Sequence, residues 1–492
     1  MGDNSAKRSL QSATLVGAVW SNLSYVGTKV LTALYLAVLA RLLVPSEFGA
    51  FAAILVFISI IELTSDLGMK ATVVYEQEEG FSRRLDTAFT VNVVMAVLLS
   101  VAGVLLSPLV AEFFRLEDHT DLFRLAALNP LVKGFGNIHD ALLLRGMSFQ
   151  RRIRPELAMV TTRAAVAIPL AVAGVGTESL VIGMLAGTAV WTALQWWITP
   201  FRPRLTFDRS IARSMAGYSS GAVALSGLAA VGTRLDIIVI GRVLGDRALG
   251  LYSVAARVPE LLIDSVAWNL SLVAFPALAR KRVADQEGLP GATAKLMRYY
   301  ALFAAPLAAG LAVLAGPLVV TLFGSQWREA AGVATAMAVF TGIGASAYPL
   351  GDVFKATGKQ RLLVTISLAQ MPLAVATIIL VAPAGIVAVA WVRVGFVTSQ
   401  ATLLLILVSR ELHTSPRMFL AAIGPAGAAA AGVALGAGAV RLAWPDLSLA
   451  PLVVGAVAGA AGGLAALRLF APGMFAEVSG LFTARARLRQ AA

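Results

Sequence analysis

The sequence has no cysteine and few histidines. Without a thiol, the chain can form neither a disulfide framework nor a thiolate metal site, and it has no cysteine nucleophile. The three histidines, His119, His139 and His413, are scattered and predict no metal centre. The GxxxxGK[ST] pattern of a phosphate-binding loop is also missing from the sequence. We therefore predict no metal and no organic cofactor.

Charge is scarce as well. Charged residues make up 14% of the 492 residues and hydrophobic residues 58%, and the mean hydropathy is +0.80. Such values exclude an ordinary soluble domain and favour a chain that crosses a membrane many times. The net charge of +13 could indicate a nucleic-acid partner. However, the basic residues stand in short segments between apolar runs, which indicates membrane topology and not nucleic-acid binding.

Apolar runs follow one another along the chain. Crossing a bilayer takes about 20 apolar residues per helix, so we predict an all-α polytopic membrane protein with about fourteen transmembrane helices. The predicted spans are 12–40, 47–75, 86–110, 122–144, 155–173, 179–199, 214–240, 247–278, 296–323, 329–350, 361–382, 385–408, 417–440 and 450–471.

The basic connections set the predicted orientation, because short loops rich in Lys and Arg stay in the cytoplasm. Both termini are then cytoplasmic. The predicted inside segments include 83–84, 145–154, 202–213, 280–282, 355–361 and 485–489. All connections are short, which leaves no extramembrane domain where an enzyme could build a site for a large polar substrate. We therefore expect a transporter and not an enzyme.

An internal repeat organises these spans. ARLLVPSEFGAF (40–51) follows the first span and GRVLGDRALGLY (241–252) follows the seventh, with Arg41 and Gly49 standing 201 positions before Arg242 and Gly250. Six spans separate the copies, so the repeat is parallel. We predict a six-helix bundle over 1–200, a second pseudo-symmetric bundle over 201–410, and two accessory helices with a basic cytoplasmic tail over 411–492.

Ionisable side chains inside the spans are candidates for function, since an unpaired charge at membrane depth costs several kcal/mol. Six cations in a cavity between the bundles would bind a large anion such as a diphosphate head group. They are Lys29, Lys133, Arg163, Arg234, Arg257 and Arg393. Five carboxylates are candidates for gating or for coupling to H⁺ or Na⁺. They are Glu62, Asp66, Asp236, Glu260 and Asp264.

Internal ion pairs are the alternative interpretation of the same residues. Arg257, Glu260 and Asp264 are spaced for a salt-bridged ladder along one helix face, and so are Glu62, Asp66 and Lys70. Four of the cations have no acidic neighbour on their own helix and need either an inter-helix partner or a bound anion. They are Lys29, Lys133, Arg163 and Arg393.

Four sets of motifs in the sequence carry a family resemblance. They are ARLLVPSEFGAFAAI with SDLGM, DIIVIGRVLGDRALGLYSVAARVPE, LVAFPALAR (272–280) and PLVVTLFGSQW (317–327). They resemble the Wzx-like polysaccharide exporters of the multidrug/oligosaccharidyl-lipid/polysaccharide (MOP) superfamily, of the colanic-acid and succinoglycan type. The resemblance covers roughly residues 10 to 410. It implies a MATE-like V-shaped pair of six-helix bundles with two extra helices.

The same resemblance implies a flippase of the bacterial inner membrane that moves undecaprenyl-diphosphate-linked repeat units. By location, Lys29, Arg234 and Arg257 match the cationic cavity of such proteins best. Polysaccharide polymerase and chain-length machinery are candidate partners. The nearest alternative is a MOP-superfamily exporter of another substrate, either lipid II or a drug cation. A membrane enzyme such as a sugar-unit polymerase is the third hypothesis.

Overall fold

The computed structural model describes residues 27–65, 81–146, 149–210, 232 and 234–477, and this part of the chain contains helices and no strand. It divides into two compact units, with the boundary between Gly250 and Leu251. That boundary follows packing and falls inside a helix. The predicted bundle boundaries at residues 200 and 410 rest on the internal repeat, and they stay predictions.

The first unit contains seven described helices and the first part of an eighth. Their bounds are 27–42 for α1, Pro45–Ser65 for α2, Phe81–Phe114 for α3, Thr120–Ala126 for α4, Asn129–Arg145 for α5, Phe149–Val172 for α6, Thr177–Ile198 for α7 and Leu235–Pro259 for α8. Helix α8 is interrupted at Gly245, whose backbone is not helical (φ 83°, ψ −177°). Helix α6 packs along α7, and α5 lies against α3 and α7.

The second unit continues α8 through a π turn, Glu260–Asp264, into α9. Its further helices are Ser265–Ala284 for α9, Leu289–Val313 for α10, Ala315–Phe323 for α11, Ala331–Ala356 for α12, Gln360–Val381 for α13, Ile386–Glu411 for α14, Pro416–Ala443 for α15 and Leu449–Phe470 for α16. Helix α10 packs against α12 and α15, and α12 also packs against α14.

Eleven segments of the described chain are long and apolar enough to cross a membrane, which confirms a multi-pass helical membrane protein. The predicted number of fourteen stays a prediction, because residues 1–26, 66–80 and 211–231 lie outside the described part. The predicted span 122–144 is two helices, since Pro130 stands at the start of α5, where a proline begins a helix more readily than it continues one. The span 296–323 is likewise divided at Leu314.

A reciprocal contact supports the internal repeat. A Cβ on Gly49 would lie 2.5 Å from the carbonyl carbon of Asp246, and one on Gly250 would lie 2.8 Å from that of Pro45. Pro45 and Asp246 stand 201 positions apart, as Gly49 and Gly250 do. Equivalent residues therefore contact each other in a two-fold manner, and only glycine leaves room for the backbones to approach this closely.

Glycines also join α15 to α16, since Gly432 and Gly436 stand four positions apart and lie on one face of α15. A Cβ on Gly432 would lie 2.8 Å from the carbonyl carbon of Gly462, and one on Gly436 would lie 2.8 Å from that of Ala458. In a membrane, helix association depends on such close backbone packing. The accessory pair is thus a tight hairpin, and Gly455 packs it against Leu314 of the second unit.

Candidate functional site

In the first unit, Glu62 of α2 is held by two side chains of α5. Its carboxylate accepts a hydrogen bond from Asn129 Nδ2 at 2.8 Å and an ion pair from Lys133 Nζ at 2.6 Å. The Glu62 side chain is 23% exposed and that of Lys133 is 39% exposed, so the pair is only partly buried. Lys133 thus has an inter-helix partner, which is one of the two possibilities that the sequence left open for it. The other members of the predicted ladder, Asp66 and Lys70, lie outside the described residues.

Arg163 of α6 stands near this pair. Its aliphatic stem lies over Gly187 of α7, where no larger residue would leave room for it. Nη2 contacts the sulfur of Met159 at 3.4 Å, and the buried Nε has no hydrogen-bond partner among the described residues. The negative charges of Glu156 and Glu62 act on this guanidinium, that of Glu156 more strongly. Lys133 and Arg163 therefore both lie near Glu62, and Lys133 pairs with it directly.

In the second unit, the predicted pairing of Arg257 with Glu260 is present, with Nη1 3.4 Å from the carboxylate. Both side chains remain more than a third exposed, so this pair contributes little stability by itself. Asp264 does not extend this pair into the ladder of the alternative interpretation. It accepts a hydrogen bond from Tyr348 Oη of α12 at 3.0 Å, because the π turn rotates it away from the α-helical register.

The π turn also affects which acidic residues of the two repeats are equivalent. Sequence spacing matches Glu62 with Glu260, 198 positions on. Counted from the crossing, however, Glu62 comes 17 residues after Pro45 and Asp264 comes 18 after Asp246. A π turn takes up one extra residue, which accounts for the difference. Asp264 is therefore the counterpart of Glu62. Glu62 accepts its hydrogen bond from α5 and Asp264 accepts its own from α12, and these are the fourth helices of the two repeats.

The remaining predicted residues are distributed over both units. Lys29 and Arg234 are half-buried in the first unit, and Asp236 is 3% exposed. In the second unit, the guanidinium of Arg393 lies 4.4 Å from the ring centroid of Phe340 on α12, a cation–π contact. The structure brings Glu62, Lys133 and Arg163 together, and separately Arg257 and Glu260. A single cavity shared by all six cations stays a prediction.

Sequence reasoning missed a buried ion pair in the first unit. Asp140 of α5 is 5% exposed and accepts two hydrogen bonds from Arg152 of α6, at 2.7 Å from Nε and 3.3 Å from Nη2. Gln195 of α7 lies 3.5 Å from the same carboxylate. A two-pronged pair of this kind fixes the relative position of the two helices it joins. It holds α5 to α6 beside their connection.

A comparable carboxylate was missed in the second unit. Asp352 of α12 is fully buried, and the hydroxyl of Ser271 on α9 lies 2.7 and 2.8 Å from its two oxygens. Lys355 Nζ, one turn further along α12, lies 2.9 Å away. This carboxylate therefore joins α12 to α9.

One sequence signal could have found both carboxylates. Asp140 stands six residues before Gly146, and Asp352 stands six residues before Gly358, each glycine following the end of its helix. These are the fourth helices of the two repeats. The carboxylates were overlooked because each lies beside a basic connection, where acidic residues are normally solvated.

Three bacterial proteins are similar to the chain in sequence. The chain is 27% identical over 325 residues to the succinoglycan biosynthesis transport protein ExoT of Rhizobium meliloti, covering 66% of the chain and 65% of ExoT. It is 24% identical over 362 residues to the teichuronic acid biosynthesis protein TuaB of Bacillus subtilis, covering 71% and 73%. It is 26% identical over 367 residues to the lipopolysaccharide biosynthesis protein WzxC of Escherichia coli, covering 71% of each.

Solved structures share the fold at low sequence identity. The lipid II flippase MurJ in an inward closed conformation matches with a TM-score of 0.76 and 12% identity, covering 93% of the chain and 99% of MurJ. An inward-facing multidrug resistance MATE family transporter of the MOP superfamily matches with a TM-score of 0.64 and 15% identity, covering 80% and 98%. The predicted MOP-type fold is therefore confirmed.

The family follows from the sequence directly. The profile of one family, described as polysaccharide biosynthesis protein, matches residues 38–332, which is more than half of the chain. The motifs that carried the predicted resemblance lie inside this range. The chain belongs to the polysaccharide biosynthesis protein family.

Proposed function

We propose that this protein is a flippase that moves undecaprenyl-diphosphate-linked oligosaccharide repeat units across the bacterial inner membrane by alternating access. The relatives support this reading, because their names refer to succinoglycan transport and to lipopolysaccharide and teichuronic acid biosynthesis. The transported units would then be used to build an exopolysaccharide or a lipopolysaccharide. The protein acts as a transporter without covalent chemistry, with both termini in the cytoplasm.

The observation that carries the proposal is the cluster of Glu62, Lys133 and Arg163 in the first unit. Lys133 pairs with Glu62, and Arg163 lies within reach of the same charge, so two cations stand close to one another in this unit. A diphosphate carries more negative charge than Glu62 and can accept from an ammonium and a guanidinium together. Substrate would draw Lys133 away from Glu62 and so loosen the link between α2 and α5. Arg257, paired only weakly with Glu260, offers a second cation in the second unit.

The carboxylates Glu62, Asp66, Asp236, Glu260 and Asp264 are the proposed gating or coupling groups. A carboxylate whose partner has turned to the substrate is free to take up H⁺ or Na⁺. Asp264 suits this role because its hydrogen bond comes from a neutral hydroxyl, that of Tyr348. Dissipating the gradient of the coupling ion should then stop transport, and an unchanged rate would exclude the coupling.

Variants of two arginines test the flippase assignment in cells. Arg234→Ala and Arg257→Ala, expressed in a strain that lacks the native gene, should abolish polymer export while the protein stays in the membrane. Arg257→Lys should retain part of the export, since it keeps the charge but loses bidentate binding. Arg124→Ala is the matched control, because Arg124 pairs with the exposed Asp121 at a helix end. Full export by both alanine variants would contradict the diphosphate-binding role.

The same strains distinguish the alternative. A MOP-superfamily exporter of lipid II or of a drug cation would leave polymer export intact when deleted, and its loss would affect cell-wall synthesis or drug tolerance. An export defect confined to the polymer supports the proposed substrate class. Polymerase and chain-length proteins remain the proposed partners at the outer face.

A further inference from the structure

A polar cavity of about 530 Å³ lies within the second unit, between the first turns of α10 and of α15. Lys295, Arg298 and Tyr299 of α10 line it together with Glu477. Lys295 and Arg298 are three positions apart, so they project from the same face of the helix. Small residues of both helices, Ala294 and Ala421 among them, provide the space in front of the two cations.

The two cations are not committed to protein partners. Within the described part of the chain, neither Lys295 nor Arg298 forms an ion pair, and the buried Nε of Arg298 has no hydrogen-bond partner. Lys295 Nζ lies 6.0 Å above the ring of Tyr299. Glu477, the carboxylate of the cavity, accepts its hydrogen bond from Tyr299 Oη at 2.5 Å. The cavity thus has a net charge of one positive, with both cations available to a ligand.

The position of the cavity indicates the kind of ligand. Helix α10 follows the basic segment 280–282, and α15 follows the short connection after α14, so this is the cytoplasmic end in the predicted topology. At a rise of 1.5 Å per residue, Lys295 and Arg298 stand about 9 and 14 Å along α10 from Leu289. From there, both long side chains can extend toward the head groups on the cytoplasmic side. Tyr299 is of a residue type common at the boundary between head groups and acyl chains.

We propose that this cavity binds the phosphodiester head group of an anionic phospholipid of the inner leaflet, of the phosphatidylglycerol or cardiolipin class. One phosphodiester carries one negative charge, which matches the net charge of the cavity. Arg298 donates to the phosphate oxygens in a planar fork and Lys295 adds a point charge. Basic pockets between transmembrane helices on the cytoplasmic side recognise such lipids. The bound lipid would hold α10 to α15, which carries the accessory hairpin.

The test measures lipid retention on the full-length protein. Protein purified in mild detergent is delipidated, exposed to phosphatidylcholine vesicles with or without phosphatidylglycerol, and analysed by native mass spectrometry. The wild type should retain one phosphatidylglycerol in preference to phosphatidylcholine. The double variant Lys295→Gln/Arg298→Gln should reduce this preference about 30-fold, at the value of two interfacial cations.

Two further variants control for the loss of charge and for misfolding. Arg280→Gln/Arg361→Gln removes the same charge from exposed positions outside the cavity and should retain the lipid. Arg298→Lys keeps the charge and should retain part of the preference, which separates lost binding from misfolding. Equal lipid retention by the wild type and the double Gln variant would overturn the proposal. Displacement of phosphatidylglycerol by undecaprenyl diphosphate would also overturn it, because the cavity would then belong to the substrate path.

Discussion

Alanine at Gly49 is expected to force apart the crossing of α2 and α8 in the first unit. The added Cβ would lie 2.5 Å from the carbonyl carbon of Asp246, whereas ordinary contacts of a Cβ begin near 3.4 Å. The carbonyl oxygen of Asp246 is closer still, so the two backbones must separate by at least about 0.9 Å, the difference between these distances. Overpacking costs about 1–3 kcal/mol, and the upper end applies here because a backbone carbonyl has no rotamer to change.

Thermal unfolding of the detergent-purified protein measures this cost. For a unit of this size, 1 kcal/mol corresponds to about 2–4 °C, so a cost of about 3 kcal/mol should lower the Tm of Gly49→Ala by about 6–12 °C. Gly250→Ala should act similarly, because it meets the carbonyl of Pro45 in the same way. The double variant should lose less than the sum of the two, since the first alanine already opens the crossing.

The matched control is Gly351→Ala in α12. No atom lies within 4 Å of a Cβ at this position, so alanine should leave Tm unchanged or raise it through its higher helix propensity. A Tm for Gly49→Ala equal to that of the Gly351→Ala control would refute the crossing. Full additivity of the Gly49→Ala and Gly250→Ala effects would refute its reciprocal geometry.

Two further predictions concern the polar links between helices. Lys133→Met should destabilise the protein by about 1–2 kcal/mol, less than for a fully buried pair because the pair is partly exposed. Adding Glu62→Gln should restore most of the lost stability, because no unpaired charge is then left. If the two losses of stability were additive in this double-mutant cycle, the pairing would be contradicted. Ser271→Ala should cost about 1–3 kcal/mol, because Asp352 is fully buried and loses a donor. The exposed Ser399→Ala is its control, and equal Tm values for the two serine variants would argue against that role.

Hydropathy was enough to predict most of the helices. The predicted span 450–471 is the helix Leu449–Phe470, and 385–408 is Ile386–Glu411, because long apolar runs have no other stable form in a bilayer. The glycine face at Gly432 and Gly436 is also visible in the sequence, since a spacing of four places small residues on one side of a helix. The division at Leu314 was not predicted, because the apolar run continues through it without interruption.

The contacts of the candidate site were harder to predict. Glu62 and Lys133 are 71 positions apart, and their pairing depends on the rotation of α2 against α5, which no local pattern records. The π turn at Glu260–Asp264 shifts the register of every following residue, and a sequence carries no reliable mark of such a turn. Spacing along one helix therefore predicted the pair of Arg257 with Glu260 correctly and placed Asp264 wrongly.

The most direct test of the central claim is leaflet transfer in a reconstituted system. The purified protein would be placed in liposomes that carry an undecaprenyl-diphosphate oligosaccharide, with an ion gradient imposed, and the fraction of sugar reaching the opposite leaflet followed over time. We predict transfer well above that of protein-free liposomes, and a much slower transfer with Arg257→Ala. Transfer no faster than in protein-free liposomes would contradict the flippase assignment.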